Sequence, residues 1–322
     1  MGLKDKLIVV GNGFDLWQGL NTRYSDFAKY YSVRRDAIMK DLFIRSYEIK
    51  YRNDCTQKIS DVELLYMYRS RFDEQGLNDV FWSTFEASLG ELGDEEISSF
   101  DMDEEDLKDL EISVENAKTI LTQAFIEWIE TIDVAERDAL YYFDNTCTFL
   151  NFNYTDTLQK RFRIPYEAIH FIHGEATDKE SVVFGHSSHP DPPDEILESW
   201  WAQSGRMGVA YHIQTLLYIT DKGVKENLNL YRNYLLRSGV ELEDIKAVYV
   251  LGHSFGKVDY EYFRFLVDAT RATAAWTISC CNDDDRKRVD EVMKKLKFSN
   301  YSTYESIAEC LADFKVRGSG LF

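Results

Sequence analysis

The chain has 322 residues, with 37 Lys and Arg against 56 Asp and Glu and a formal charge of −19. Its 44% hydrophobic residues and only 4 prolines exclude a disordered chain, and the length allows one large domain or two with ample core. So acidic a balance argues against nucleic acid as a partner.

The first element in the chain is Lys6 to Val10, which reads as a short buried strand running straight into Gly11-Asn12-Gly13. The apolar run is too short for a signal-peptide core, and no stretch reaches the ~20 apolar residues of a membrane span. The expectation is a cytoplasmic protein that does not engage a membrane. Five cysteines, an odd number with no Cys-x-x-Cys, fit reduced thiols.

From about Tyr24 to Phe143 the pattern is helical and no strand is expected. Leu107, Leu110, Val114, Ala117, Leu121, Ala124 and Trp128 share one helix face, at spacings of three and four. The carboxylate-dense stretch from Glu91 to Asp106 reads as a solvated loop and helix N-terminus. Phe81, Trp82 and Phe85 read as core.

After Asn145 short apolar runs recur at Cys147–Phe152, Ala168–His173, Ser181–Gly185, Ile245–Gly252 and Ala274–Cys281. Helical patterns at Lys225–Leu236, Val258–Val267, Arg286–Leu296 and Glu305–Phe314 separate several of them. Alternating strands and helices predict a parallel sheet covered on both faces. The expected fold is α/β, a three-layer Rossmann-like core with a mostly parallel sheet and a large helical insertion. Residues 1–27 and 145–322 would form the core, and 28–144 the insertion.

Four motifs could carry chemistry. The first is Gly11-Asn12-Gly13-Phe14-Asp15, followed by Gly19-Leu20. Its glycines would let backbone approach a pyrophosphate, but Leu16 stands where the dinucleotide fingerprint needs a third glycine. A tight turn without ligand is the alternative. The second is Gly252-His253-Ser254-Phe255-Gly256, a Gly-x-Ser-x-Gly nucleophile-elbow pattern after a strand. An α/β-hydrolase needs an acid and then a histidine later in the chain, and His253 is the last histidine.

The third is Asn151-Phe152-Asn153-Tyr154-Thr155-Asp156 at a strand end, where an Asn amide can both donate to and accept from a ribose hydroxyl. An Asx turn with Thr155 or Asp156 as helix N-cap is the alternative. The fourth is His170-Phe171-Ile172-His173-Gly174. Residues three apart in a strand face opposite sides, so the two histidines are not expected to share a metal. His173, ahead of a glycine turn, is the better placed for exposure and suits a general base, against a purely structural role. His186 and His189 lack a cysteine or carboxylate at ligand spacing, and no metal is expected there. Cys280-Cys281 reads as core packing.

Taken in order, Gly11–Asp15 with Gly19-Leu20, Asn151–Thr155, Ile172–Gly174, and Leu251–Ser254 with Asp259 resemble the AbiH-like family of bacteriophage abortive-infection proteins. The resemblance spans most of the chain, and the segment from about 28 to 145 adds little to it. More distantly, the same order resembles the sirtuin-like NAD-binding fold. That resemblance implies a phosphate turn at Gly11, Asn12, Gly13, Phe14 and Asp15, with Gly19 and Thr22 also on the cofactor side. It implies Asn153 and His173 as the catalytic pair, and Gly252 and Ser254 beside the adenine ribose with Asp259 just beyond. Asn21 stands where sirtuin-like chains would carry Pro, and Thr155 where they would carry Asp.

The zinc-binding Cys-x-x-Cys pairs of protein deacylases are missing, which favours NAD glycohydrolysis. The implied protein is an antiphage NAD-hydrolysing enzyme, with NAD as substrate or ligand and no metal. A non-catalytic NAD or ADP-ribose sensor is the alternative, followed by a Ser254 hydrolase. The dinucleotide would be joined by an unknown phage trigger, and homo-oligomerisation is left open.

Overall fold

Leu7 to Val10 are aliphatic and fully buried, as a strand flanked on both sides must be. The computed structural model describes residues 4–41, 47–50, 56–59, 104–135, 139–175, 177–178, 181–183 and 221–316. In chain order the first elements are β1 (Lys6–Val10), α1 (Asn12–Trp17), α2 (Tyr24–Asp41), β2 (Tyr47–Lys50), β3 (Thr56–Ile59) and α3 (Glu104–Glu130). Next come β4 (Tyr141–Tyr142), β5 (Cys147–Asn151), α4 (Thr157–Phe162), β6 (Ile169–Phe171), α5 (Val224–Ser238) and β7 (Ala247–Leu251). The chain continues through α6 (Tyr260–Thr270), β8 (Ala275–Ser279), α7 (Asp283–Lys295), β9 (Tyr301–Tyr304), α8 (Ile307–Cys310) and β10 (Lys315–Val316).

Six strands form one sheet in the order β6-β5-β1-β7-β8-β9, and every neighbouring pair is parallel. Counted along the chain, that order is 3-2-1-4-5-6, the doubly wound Rossmann arrangement. The strand order reverses between β1 and β7, whose register pairs Val10 with Leu251.

The alternation of β1 explains the three layers. Leu7 and Val9 face a core built with Tyr231 and Leu235 of α5, Phe263 and Leu266 of α6, and Met293 of α7. Ile8 and Val10 face the other core, with Phe14 of α1, Leu158 and Phe162 of α4, and Ile307 of α8. Neither face of the strand meets water, so aliphatic residues fill it without a polar break. Each such side chain contributes about 1.5–3 kcal/mol through burial.

The described chain divides into two compact units. The sheet unit comprises Met1–Arg23, Ile129–Val182 and Val224–Phe322, and the second comprises Tyr24–Trp128 and Val183–Gly223. In the second unit, Phe27 of α2 packs edge-on against Phe125 of α3, with ring centroids 5.3 Å apart. Arg34 and Glu127 pair at 2.9 Å across the same two helices. From the expected apolar stripe of α3, Leu121, Ala124 and Trp128 are buried.

Several expectations need correction. The stretch without an expected strand contains an antiparallel pair, β2 with β3, and the short strand β4. Tyr47–Lys50 carries charges at alternate positions and Thr56–Ile59 has Gln57-Lys58 at its centre, so neither has the apolar run that marks a buried strand. Strand β9 was not expected either, because Tyr301–Tyr304 lies at the sheet edge with alternate residues exposed. The helix expected over Glu305–Phe314 shrinks to α8, with Ser306 accepting from the Glu309 amide as its cap.

Ser181–Val183 forms no strand, and Phe184 and Gly185 lie outside the described residues. So do His186, His189, Cys55, Phe81, Trp82, Phe85 and Glu91–Asp103. Among the described residues the cysteines are all free, and Cys281 is exposed while Cys280 is buried, which corrects the expectation of core packing for the pair. Among the described residues no helix is long and apolar enough to cross a membrane.

Candidate functional site

Four turns leave the carboxyl ends of β1, β5, β6 and β7, and these carry all four motifs. The β1 and β7 turns touch backbone to backbone. Gly11 N–H donates to Leu251 O at 3.0 Å, and Gly13 N–H to Gly252 O at 2.7 Å. A Cβ on Gly13 would sit 2.8 Å from Gly252 Cα, and one on Gly252 would sit 2.2 Å from Phe14 N. Gly252 also has φ +67°, which L side chains resist. These glycines are therefore required by the crossing of two chains at the switch point. Phe14 N–H returns to Gly11 O at 2.8 Å, so the amides of Gly11, Gly13 and Phe14 are all engaged within the protein.

The other residues of the first motif take different places. The Phe14 ring is fully buried against Phe162, at 5.1 Å, and Trp17, at 5.6 Å. Asn12 is exposed and donates through Nδ2 to Thr22 O at 2.8 Å, pinning the loop that follows α1. The side chain of Thr22 is buried. Gly19 ends the helix at φ +79° with open space around it.

Asp15 is buried, and its Oδ2 accepts from the Thr155 hydroxyl at 2.6 Å. Thr155 and Thr157 share a further hydroxyl contact of 3.0 Å. Burial dominates the carboxyl group and pushes its pKa up to about 6, opposed by Thr155, Thr157, the Arg161 guanidinium and Asn153. Arg161 is itself tied to the Gln18 carbonyl. None of these partners is local in sequence to Asp15.

Asn151 makes the Asx turn, its Oδ1 accepting from Asn153 N–H at 2.9 Å. Asn153 is 6% exposed and donates through Nδ2 to Gly11 O at 3.0 Å, which ties the β5 turn to the β1 turn. Asp156 occupies the N-cap of α4 without a side-chain capping bond and pairs with Lys160 at 2.9 Å instead.

His173 is not at an exposed edge, as its position before a glycine suggested. It is 4% exposed, and its Nε2 faces Asp259 Oδ1 at 3.7 Å. The other oxygen of the same carboxylate, Oδ2, lies 3.4 Å from Nε2 of His253. Phe152 stands edge-on to both imidazoles, at 5.3 Å from His173 and 4.6 Å from His253. Gly174 follows at φ +76°, where a Cβ would collide with Ser181 O. His170 is separate: it stacks on Tyr231 at 5.0 Å, and burial, then Arg237, pushes its pKa down to about 4.

Ser254 is exposed. Backbone strain falls on either side of it, at Gly252 and at Phe255 with φ +54°, whereas a nucleophile elbow strains the serine itself. Nδ1 of His253 accepts from Phe255 N–H at 2.9 Å and is directed away from a role as base for Ser254. Among the described residues no group of three or more His, Cys, Asp or Glu side chains could hold a metal ion.

Sequence reasoning missed His253, Phe152, Thr155 and Arg161 as members of the site. His253 and Phe152 lie inside the quoted motifs, so their position was available as a signal. Arg161 had none, because only folding brings it toward Asp15.

A Rossmann-ordered sheet with a buried Asn, two His and two Asp at its carboxyl edge defines an α/β protein with a polar site at its topological switch point. The chain matches the family described as "Bacteriophage abortive infection AbiH" over residues 7–280, and it belongs to that family. No curated protein and no solved structure matches it. Family membership supports a role in abortive defence against phage.

Proposed function

We propose that this AbiH protein binds NAD over the carboxyl ends of β1, β5, β6 and β7 and hydrolyses it to ADP-ribose and nicotinamide. The observation that carries the reading is the meeting of Gly11–Asp15, Asn153, His173 and Gly252–Asp259 at one edge of a sheet ordered 3-2-1-4-5-6. Open α/β sheets bind ligands in the crevice at such a switch point.

In the reaction water adds to C1′ of the nicotinamide ribose as the C1′–N bond breaks. The electron pair leaves with nicotinamide, and one proton is released. Asn153 holds a ribose hydroxyl or the attacking water, and His173 takes the proton as base. Apolar and aromatic neighbours such as Phe152 exclude bulk water from the oxocarbenium-like centre.

The purified protein, with and without phage lysate, should release nicotinamide, followed by chromatography. Asn153→Ala and His173→Ala should each abolish release while circular dichroism stays unchanged. If both variants still protect cells from phage, the proposed site is wrong. The second reading, a sensor of NAD or ADP-ribose, is favoured by the engagement of Asn153 Nδ2 with Gly11 O. Ligand-dependent thermal stabilisation without turnover would select it.

A further inference from the structure

Asp259 offers one carboxylate to two buried imidazoles: His173 follows β6, while His253 and Asp259 open and close the connection from β7 to α6. The resemblance to sirtuin-like proteins puts Asp259 beyond the adenine ribose, yet each of its oxygens faces a histidine. We propose that Asp259 is a positioning residue that fixes the rings of His173 and His253 and supplies the counter-charge when His173 takes up a proton. The proposal rests on the reading of His173 as the base in NAD hydrolysis.

The tautomer of His253 follows from its neighbour. Its Nδ1 accepts from Phe255 N–H at 2.9 Å, so in the neutral ring the proton sits on Nε2, toward Asp259 Oδ2. Phe255 holds this amide in place from a left-handed backbone, φ +54°, a conformation that persists where the surroundings enforce it. His253 thus presents its Nε2 proton to one side of the carboxylate, 3.4 Å away. The other oxygen faces His173 at 3.7 Å.

Charge then decides the direction of proton flow. With both imidazoles neutral the three side chains carry one negative charge in surroundings that are less than a tenth exposed. Proton uptake by His173 makes the cluster neutral overall, and a low-dielectric interior favours that change. Loss of the carboxylate reverses the balance, since an imidazolium would then be buried without that counter-charge. The rings of Tyr154, at 6.2 Å, and Tyr262, at 5.6 Å, also stand beside His173.

Orientation is enforced by packing. Phe152 stands perpendicular to His173, and Phe263 meets His253 edge-on at 4.7 Å. These contacts restrict rotation of both rings. His253 therefore competes for the carboxylate without leaving it, which fixes how much of the charge each histidine sees.

The test is an imidazole NMR titration of His173 in the wild-type protein and in Asp259→Asn, joined to a nicotinamide-release assay. In Asp259→Asn the proton affinity of His173 should fall at least about tenfold. Turnover should fall about 100-fold or more with KM unchanged, and the acid limb of the kcat profile should move to lower pH. Superposable His173 titrations in the two proteins would overturn the proposal. Should Asp259→Asn not fold, the wild-type titration decides: a midpoint at or above that of free histidine supports the proposal, and a ring that stays neutral from pH 5 to 8 overturns it. A shifted titration with no nicotinamide release from the wild type would sink the NAD reading and leave the Asp259–His173 coupling standing.

Discussion

The Thr155 hydroxyl donates to Asp15 Oδ2 at 2.6 Å, joining two turns that lie 140 residues apart in sequence. This bond and the donation from Asn153 to Gly11 O hold the β1 and β5 turns together at the edge where the candidate site lies. Asp15 therefore meets a hydroxyl donor from the β5 turn.

The first prediction concerns the proton on Asp15. Its pKa of about 6 stands above the ordinary 3.8, mainly through burial. A raised folded pKa means the contribution to stability is full below pH ~4 and is lost as pH rises through about 6. The loss amounts to about 3 kcal/mol at most. Asp15→Asn keeps an oxygen for Thr155 and cannot ionise, so the difference in urea stability between the two proteins should change across pH 4–6 in its favour. Parallel curves would contradict the assignment. Thr155→Val, which leaves Oδ2 without its donor, should lower stability at pH 7 by about 1–3 kcal/mol.

Two glycines with similar backbone angles should behave differently. Gly252→Ala combines a left-handed φ with a Cβ driven into the backbone of Phe14, and it should cost more than about 3 kcal/mol or prevent folding. Gly19→Ala has the same kind of φ and nothing within 4 Å, so only the conformational cost of about 1–2 kcal/mol remains. Chemical denaturation of the two variants distinguishes the requirements. Equal losses would mean that the backbone crossing contributes nothing.

His170 should make the protein acid-sensitive. Burial, and then Arg237, holds its pKa down at about 4, so the folded state keeps the ring neutral while the unfolded chain protonates it near pH 6.5. A depressed folded pKa places its stability contribution above pH ~6.5, and that contribution is lost as pH falls toward about 4. The effect is worth about 3 kcal/mol at most. His170→Phe keeps an aromatic face for Tyr231 and Tyr234, and thermal melts between pH 7 and 4.5 should show a flatter decline than the wild type. An unchanged slope would remove His170 as the cause.

Much of the sheet was legible in the chain. Lys6–Val10, Cys147–Asn151, Ala247–Leu251 and Ala275–Ser279 are strands where short apolar runs predicted them, because strands covered on both faces need apolar residues throughout. Strand β9 and the β2–β3 pair escaped that logic. Their apolar residues are broken by exposed or charged ones, and such short segments are placed by their partners rather than by their own pattern.

The candidate site divides in the same way. Local sequence by itself determined that glycine, asparagine and histidine motifs follow strands, since strand ends and turns are written in contiguous residues. Tertiary structure alone decided what those residues touch: Gly13 against Gly252, Thr155 on Asp15, and one Asp259 carboxylate between His173 and His253. Most of these pairings join segments far apart in the chain, and their chemistry depends on burial and distance. The physical reason is that desolvation and charge pairing act through space, so they exist only once the sheet order has brought the turns together.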